Sequence, residues 1–453
     1  MKRRAQTRSQ RNPSATPSQA ARAQLVSIEK PVYGGAFLGR LEGKAVFVPL
    51  ALPGEEVRAR MVDEKRGYAT AELEEIVAAS PQRIAPACRH FGACGGCHYQ
   101  QTNYATQLDF KQAILRETLE RGGVRAPENI NVLSAHPWNY RNRIRLAFDA
   151  AGGPGYRGRR SHAVVPIAEC PIAAPLLVRA ALAAADIARA SRPSLRIGEL
   201  TLFCNADETA LLASFDVAGG AKSTFEQFGQ SLAEQIPQLR GAEFSTEGSD
   251  GRPPHKIAEW GANSLLYNAA GFDFRVDHGA FFQVNRWLID DLVRCATAGL
   301  SGSLAWDLFA GVGLFTRSLA QNFARVVAVE SASEAISALR HNLGGTSAAA
   351  VAASTLEFLR NARKQGRPDL VIPGFVSPDL ILVDPPRTGL GAETTALLVE
   401  IAAPAFTYVS CDPAMLARDL RALIAGGYAI ESVTLADLFP QTFHLESVVR
   451  LKR

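Results

Sequence analysis

The chain has 453 residues, of which 47% are apolar and 21% charged, and its formal net charge at pH 7 is +5. This composition is ordinary for a soluble globular protein, and the length predicts two or three domains. The most apolar long stretch, residues 173–190, contains Arg179, Asp186 and Arg189, which excludes a membrane span there. The mild positive charge favours an anionic partner such as nucleic acid.

The first 22 residues are basic and rich in Ser, Gln and Pro, so we predict a disordered basic tail over residues 1–22. This segment has no apolar core and is not a secretory signal, and we therefore expect a cytoplasmic protein. The chain has seven cysteines. An odd number without an export signal argues against disulfides and leaves metal binding, catalysis or burial.

Short strands separated by glycine-containing turns are predicted for residues 23–80. Strands at such close spacing are typical of a small β-barrel of the oligonucleotide-binding kind. We expect four basic residues to give this barrel positive charge: Arg58, Arg60, Lys65 and Arg66.

A central α+β domain with an RNA-binding surface is predicted for residues 81–280. It begins with a cysteine-rich loop at residues 86–99, and a helix follows over Tyr104–Arg121, ended by Gly122 and Gly123.

Three arginines further along this domain, Arg141, Arg143 and Arg145, alternate with other residues and therefore share one face of a predicted strand. A phosphate-binding face and a solvated face both fit this pattern.

Strand-like runs alternate with helices in residues 281–453, the predicted catalytic domain, which is typical of a doubly wound, Rossmann-like α/β sheet. The strands are predicted at residues 304–308, 326–330, 380–384 and 406–411. Ligands of such sheets bind outside the carboxyl ends of the strands.

The first of these strands runs through Asp307 into a glycine turn, where Gly311 and Gly313 allow the backbone to approach a ligand closely. The second strand ends in Glu330, an acid placed to accept hydrogen bonds from ribose hydroxyls. The third glycine of the dinucleotide fingerprint is replaced by Thr316. The pattern therefore favours S-adenosylmethionine over a cofactor that carries a pyrophosphate.

The third strand ends in Asp384-Pro385-Pro386-Arg387. Enzymes that methylate amino groups usually carry an aromatic residue after the prolines, so Arg387 disfavours that reaction. Enzymes that form 5-methylcytosine often place a cysteine after the first proline, where this chain has Pro386.

A cysteine at the carboxyl end of the fourth strand, Cys411, would open into the same crevice as Asp384. The last strand of such sheets is usually antiparallel, so its start lies at the same edge and makes Glu446 a candidate general base. His444 is the alternative base.

Together these segments resemble the uracil-C5 RNA methyltransferase family, which forms 5-methyluridine in ribosomal and transfer RNA. The matching segments are residues 281–285, 307–313, 384–389, 410–413 and 444–447. The N-terminal barrel resembles the TRAM domain that many members carry. The resemblance implies an S-adenosylmethionine-dependent RNA methyltransferase, acting on 23S ribosomal RNA in preference to transfer RNA and as a monomer.

The resemblance also implies a role for single residues. Gln283, Phe309, Glu330 and Asp384 match the S-adenosylmethionine contacts, and Gly311 lies in the turn between them. Cys411 matches the nucleophile that adds to C6 of uracil, for which we expect a lowered pKa, and Glu446 matches the base.

Four cysteines match the ligands of a [4Fe-4S] cluster in the branch of the family that has one: Cys88, Cys94, Cys97 and Cys170. Their spacing alone fits zinc equally well, so zinc is the alternative. Cys204 and Cys295 match no ligand and are expected to be packing residues. Two rival functions are a 5-methylcytosine RNA methyltransferase and an RNA-binding chaperone with a relict cofactor fold.

Overall fold

The computed structural model describes residues 23–191, 195–246, 255–364 and 377–453. The tail predicted for residues 1–22 lies outside these described residues. The chain divides into two compact units, with the boundary between Arg83 and Ile84. Among the helices of the described ranges, none is both long and apolar enough to cross a lipid bilayer.

The first unit is a closed barrel in which the strands follow the order β1-β2-β3-β5-β4. Its strands are β1 (Gln24–Pro31), β2 (Ala36–Leu41), β3 (Lys44–Pro49), β4 (Glu56–Glu64) and β5 (Tyr68–Ala78). Apolar side chains alternate with polar ones along β4, where Val57, Ala59 and Met61 are buried in the barrel. The predicted barrel is confirmed.

The basic residues expected to charge this barrel are largely neutralised. Arg58 pairs with Glu75 at 2.8 Å, and Lys65 lies 3.3 Å from Asp63. Arg60 is bonded to two carboxylates of β5, those of Glu72 and Glu74. The expectation that these residues give the barrel positive charge was wrong for three of them, because acidic residues of β4 and β5 pair with them.

The second unit begins with the cysteine-rich loop and helix α1 (Tyr104–Arg121), whose predicted limits are confirmed. The side chain of Asn103 caps its first turn by accepting from the Thr106 N–H at 2.9 Å. The helix ends at Gly122, whose N–H donates to the Thr118 carbonyl at 3.0 Å.

A mixed sheet with two helices on one face forms the middle of this unit, in the order β13-β12-β11-β10-β7-β8-β9. Its strands are β7 (Arg143–Phe148), β8 (Pro154–Arg157), β9 (Val164–Pro166), β10 (Ile197–Cys204), β11 (Leu211–Val217), β12 (Leu239–Thr246) and β13 (His255–Gly261). The helices are α2 (Pro175–Ala190) and α3 (Lys222–Gln235). A hairpin of β14 (Ser264–Ala269) and β15 (Phe272–Asp277) follows.

The last part of the chain forms a second sheet, in the order β18-β17-β16-β19-β20-β22-β21-β6. Its strands are β6 (Asn131–Leu133), β16 (Gly302–Leu308), β17 (Phe323–Glu330), β18 (Ala348–Ala352), β19 (Leu380–Val383), β20 (Ala405–Ser410), β21 (Ala429–Ala436) and β22 (Glu446–Lys452). The helices are α4 (Ile289–Thr297), α5 (Leu314–Leu319), α6 (Ser333–Asn342), α7 (Thr355–Lys364), α8 (Ala392–Ile401) and α9 (Pro413–Ala425). The predicted Rossmann-like α/β fold is confirmed.

Strand directions in this second sheet determine where its side chains meet. Strands β17, β16, β19 and β20 are parallel, whereas β22 runs antiparallel between β20 and β21. The carboxyl ends of the parallel strands and the start of β22 therefore lie at one edge of the sheet. An apolar core continues from Phe203 of β10 to Val448 of β22, so the two sheets of this unit share buried side chains.

Candidate active site

The glycine turn after β16 forms one wall of the candidate site. Phe309 has a φ of 68°, in the left-handed region that a non-glycine residue rarely adopts. Gly311 and Gly313 follow with φ values of 57° and 93°. A Cβ atom added at Gly311 would meet no heavy atom within 4 Å. The turn thus exposes backbone that a ligand can approach closely.

Glu330 closes this turn from the end of β17. Its carboxylate accepts from the Gly311 N–H at 2.8 Å, and its other oxygen accepts from the N–H groups of Ser331 and Ala332 at 2.6 and 2.7 Å. These contacts hold the acid beside the glycine turn.

A second contact brings together two residues that lie far apart in the chain. The side-chain amide of Gln283 donates to Asp384 at 3.3 Å, at the end of β19. The structure therefore assembles Gln283, Gly311, Glu330 and Asp384 at the carboxyl edge of the sheet, with Phe309 in the turn itself.

Buried acids concentrate negative charge at this edge. Burial raises the pKa of Asp307 to about 7, although a 2.5 Å hydrogen bond from the Thr316 hydroxyl opposes the shift. Burial and the charge of Asp307 raise the pKa of Asp384 to about 7 as well. A positively charged ligand beside these acids would stabilise their ionised forms and lower their pKa.

Cys411 and Glu446 come from neighbouring antiparallel strands. The ladder between β20 and β22 pairs Ser410 with Ser447. Cys411 follows the first member of this pair and Glu446 precedes the second, so they occupy the next opposing positions. Side chains at opposing positions share one face of a sheet and lie within contact range.

The electrostatics around Cys411 contradict one expectation from the sequence. Burial, together with the charges of Glu446 and Asp384, raises the pKa of Cys411 to about 12. Burial and the charge of Asp384 likewise raise the pKa of Glu446, and Arg387 opposes both shifts. The expected lowered thiol pKa was wrong, because the sulfur is partly buried and acids from separate strands converge on it.

The alternative base, His444, is a poor proton acceptor in this setting. Burial and the charge of Arg387 lower its pKa to about 3. An Arg387 Nη2 lies 3.1 Å from its Nδ1, so the neutral ring accepts this hydrogen bond. A raised pKa makes a carboxylate a stronger base. The pKa shifts therefore favour Glu446 over His444 as the base.

The four predicted ligand cysteines line one cavity of about 250 Å³: Cys88, Cys94, Cys97 and Cys170. Burial raises the pKa of the first three, and the charge of Cys170 raises each further. The Tyr156 hydroxyl lies 3.7 Å from the Cys170 sulfur. Within the described ranges, no three Cys, His, Asp or Glu side chains are placed to hold a single metal ion. The four thiols therefore line one cavity but do not converge on a single ion position.

The two other cysteines of this unit pack in the apolar core, as predicted. Cys204 is fully buried among the apolar residues of the first sheet, and Cys295 packs against the core shared by the two sheets.

The three arginines predicted to share a strand face have different surroundings. Arg141 lines the cysteine cavity, and Arg145 is bonded to Glu199 at 2.6 Å. Arg143 lies 4.4 Å above the Phe203 ring, and its buried Nε has no hydrogen-bond partner among the described residues. Burial lowers its pKa to about 10. Of these three arginines, Arg143 is the one with a buried nitrogen that lacks a partner among the described residues.

Sequence reasoning missed a buried set of contacts behind the site. The side-chain amides of Gln107 in α1 and Gln441 before β22 are 2.9 Å apart, and Lys111 pairs with Asp437 at 2.6 Å, fully buried. No motif or spacing links these segments, which are separated by more than three hundred residues.

Comparisons with known proteins identify the family to which the chain is similar. The profile of the tRNA (Uracil-5-)-methyltransferase family matches residues 259–453, and that of the TRAM domain matches residues 17–73. A 23S rRNA (uracil(1939)-C(5))-methyltransferase from Halomonas elongata is 31% identical, over 98% of this chain and 93% of the relative. A protein of the same name from Chromohalobacter salexigens is 32% identical, over 97% and 91%.

A solved structure is similar over nearly the whole chain. It is the crystal structure of the Pyrococcus abyssi tRNA (uracil-54, C5)-methyltransferase in complex with S-adenosyl-L-homocysteine. The TM-score is 0.74 at 25% identity, and the match covers 94% of this chain and all of the other.

Proposed function

This chain belongs to the uracil-C5 RNA methyltransferase family, and we propose that it forms 5-methyluridine in 23S ribosomal RNA through Cys411 and Glu446. It is an S-adenosylmethionine-dependent RNA methyltransferase with an N-terminal TRAM barrel. The observation that carries the proposal is the meeting of Cys411 and Glu446 at the sheet edge where Gln283 contacts Asp384.

The chemistry requires a nucleophile and a base on one pyrimidine ring. The Cys411 thiolate adds to C6 of uracil, which makes C5 electron-rich enough to take the methyl group. Glu446 then removes the C5 proton, the C5–C6 double bond re-forms, and Cys411 leaves as the thiolate. A carboxylate with a raised pKa is suited to this proton removal.

S-adenosylmethionine supplies the methyl group and carries a positive sulfonium. The residues we propose to hold it are Gln283, Phe309, Gly311, Glu330 and Asp384. A cation placed beside Asp384 would lower the pKa of the surrounding acids and of the Cys411 thiol. The high thiol pKa of the unliganded protein is thus compatible with a thiolate in the loaded enzyme.

We propose a [4Fe-4S] cluster for the cysteine cavity, ligated by Cys88, Cys94, Cys97 and Cys170. A cavity of about 250 Å³ has room for a group of several atoms. Zinc would need the four sulfurs to converge at about 2.3 Å from one ion. Bound there, the cluster would cross-link the cysteine-rich loop to Cys170 through iron–thiolate bonds.

RNA recognition is assigned to the central sheet and the barrel. The guanidinium of Arg143, whose Nε has no hydrogen-bond partner among the described residues, is proposed to bind a phosphate of the RNA backbone. The choice of 23S ribosomal RNA over transfer RNA rests on the names of the two full-length relatives. We propose that the enzyme acts in the cytoplasm and as a monomer.

Mapping of modified nucleosides tests the proposal directly. Ribosomal and transfer RNA from cells with and without the gene would be digested and analysed by mass spectrometry. We expect one 5-methyluridine of 23S ribosomal RNA to disappear with the gene and to return when the purified enzyme and S-adenosylmethionine are added. Loss of 5-methylcytosine, or loss of 5-methyluridine from transfer RNA alone, would contradict it.

A further inference from the structure

The segment between β21 and β22, residues 437–445, leads directly into Glu446, and we call it the base loop. Gln441 in its middle has a φ of 68°, a left-handed conformation that costs a non-glycine residue free energy unless its surroundings enforce it. The position of Glu446 at the start of β22 therefore depends on what holds this loop.

Gln107 of helix α1 contacts the middle of the base loop. The Gln107 amide nitrogen donates to the Gln441 side-chain oxygen at 2.9 Å, and the Gln107 oxygen accepts from the Gln441 N–H at 3.0 Å. Both residues are almost fully buried. The same Gln107 nitrogen lies 3.1 Å from the carbonyls of Tyr99 and Thr102, at the end of the cysteine-rich loop.

The cysteine-rich loop contacts the base loop directly. The N–H groups of His98 and Tyr99, which follow Cys97, both donate to the Gln441 carbonyl, at 2.8 and 3.1 Å. The rings of His98 and Phe443 pack edge to face, with centroids 4.6 Å apart. Two residues beside a proposed cluster ligand are thus bonded to the loop that carries the proposed base.

Two further side chains donate hydrogen bonds to the base loop. The Tyr140 hydroxyl donates to the Pro440 carbonyl at 3.0 Å, and the Lys111 ammonium donates to the Phe439 carbonyl at 2.9 Å. Three consecutive residues of the base loop, 439–441, are thus held by contacts from α1, the cysteine-rich loop and the segment before β7.

We propose that Gln107 is a positioning residue, which places Glu446 for proton removal by fixing Gln441 and the base loop. Through His98 and Tyr99, the cysteine-rich loop takes part in the same positioning. This inference rests on the proposed function of Cys411 and Glu446. Loss of the α1 contacts should therefore slow the elimination step and leave the addition of the Cys411 thiol to uracil unchanged.

The two half-reactions can be separated with a modified RNA. With uridine, Glu446 takes the C5 proton, its electron pair re-forms the C5–C6 double bond, and Cys411 leaves. With 5-fluorouridine, fluorine replaces that proton and cannot leave as a cation, so the methylated adduct on Cys411 persists. Formation of this adduct measures addition and methyl transfer without the base.

The test compares Gln107→Leu with Gln112→Leu, on substrate RNA that contains uridine or 5-fluorouridine. Gln112 lies in the same helix and donates to the Ile130 carbonyl at 3.0 Å, away from the base loop. For Gln107→Leu we expect uridine turnover to fall about 10- to 100-fold, with more covalent adduct at steady state. Adduct formation on 5-fluorouridine RNA should keep the wild-type rate, and Gln112→Leu should match wild type in both reactions.

Tyr140→Phe is the second variant, to be used if Gln107→Leu does not fold, because it removes one hydroxyl that holds the same loop. It should slow uridine turnover to a smaller extent and leave adduct formation on 5-fluorouridine RNA unchanged. Equal loss in both reactions, or no loss in either, would overturn the inference. Failure of the wild-type enzyme to form any 5-fluorouridine adduct would instead contradict the proposed function.

Discussion

Cys411 and Glu446 lie at the first opposing positions beyond the Ser410–Ser447 pair, where the antiparallel β20 and β22 meet the carboxyl edge of the sheet. The thiol and the carboxyl therefore share one face. Burial and the charge of Glu446 raise the pKa of Cys411, and burial and the charge of Asp384 raise the pKa of Glu446. The account of catalysis depends on this relationship.

Replacing the proposed nucleophile should abolish methyl transfer without unfolding the protein. Cys411 is only partly buried, so Cys411→Ala removes one sulfur at little cost in stability. We expect no 5-methyluridine product and no covalent RNA adduct, while calorimetry still detects S-adenosylmethionine binding. Cys295→Ala is the matched control and should stay active. Wild-type turnover in Cys411→Ala would exclude the scheme.

The Asp384→Asn variant should be more stable than the wild type but bind S-adenosylmethionine more weakly. The folded protein raises the pKa of this carboxyl from 3.8 to about 7, so its stability contribution is complete below pH 3.8 and is lost as the pH rises to about 7. Asparagine does not ionise, so the variant keeps its folding stability as the pH rises through this range. We expect the variant to gain roughly 1–2 kcal/mol over wild type between pH 5 and pH 8 in thermal unfolding.

The same variant should bind S-adenosylmethionine at least about ten-fold more weakly, since a hydrogen bond to a charged group contributes about 1.5–3 kcal/mol. A variant with wild-type cofactor affinity would remove Asp384 from the proposed binding site. A variant that shows no pH-dependent gain would show that this carboxylate is not destabilised in the folded protein.

Arg143→Met should weaken RNA binding without destabilising the fold. A half-buried cation that lacks an anion costs desolvation energy, so a neutral side chain of similar length is expected to leave the melting temperature unchanged or higher. We expect the salt dependence of RNA binding to lose about one phosphate contact. Arg145→Met, which removes a cation already paired with Glu199, should keep the wild-type salt slope, and equal slopes for all three proteins would refute the assignment.

The cysteine cavity predicts a specific metal signature. Anaerobically purified protein should contain about four irons per chain and absorb broadly in the visible range. Cys170→Ser should lose both, whereas Cys295→Ser should keep both. One zinc per chain with no visible absorbance would establish the alternative ligand.

Much of the site could be predicted because it depends on strand ends. Asp384 and Cys411 follow apolar runs of the kind that form parallel strands, and parallel strands share an edge whatever the details of packing. Glu446 could be added because the last strand of such sheets is usually antiparallel. The helix over Tyr104–Arg121 was equally readable, since glycines follow its end directly.

Features that depend on three-dimensional convergence could not be predicted. The raised pKa of Cys411 arises from burial and from the approach of Glu446 and Asp384, which no local pattern reveals. Strand β6 joins the edge of the second sheet by pairing with β21, and the paired residues are 303 positions apart in the chain. The partners of Gln441 are likewise invisible in sequence because no pattern links α1 or the cysteine-rich loop to the base loop.

The most direct test of the central claim is the fate of the RNA on the Glu446→Gln variant. This substitution keeps the shape of the side chain but removes the proposed base, so Cys411 should add to uracil and C5 should be methylated while elimination stalls. Denaturing gels should show a stable RNA–protein adduct, and mass spectrometry should place 5-methyluridine on the peptide that contains Cys411. Wild-type release of product without adduct, or an adduct on another residue, would contradict the account.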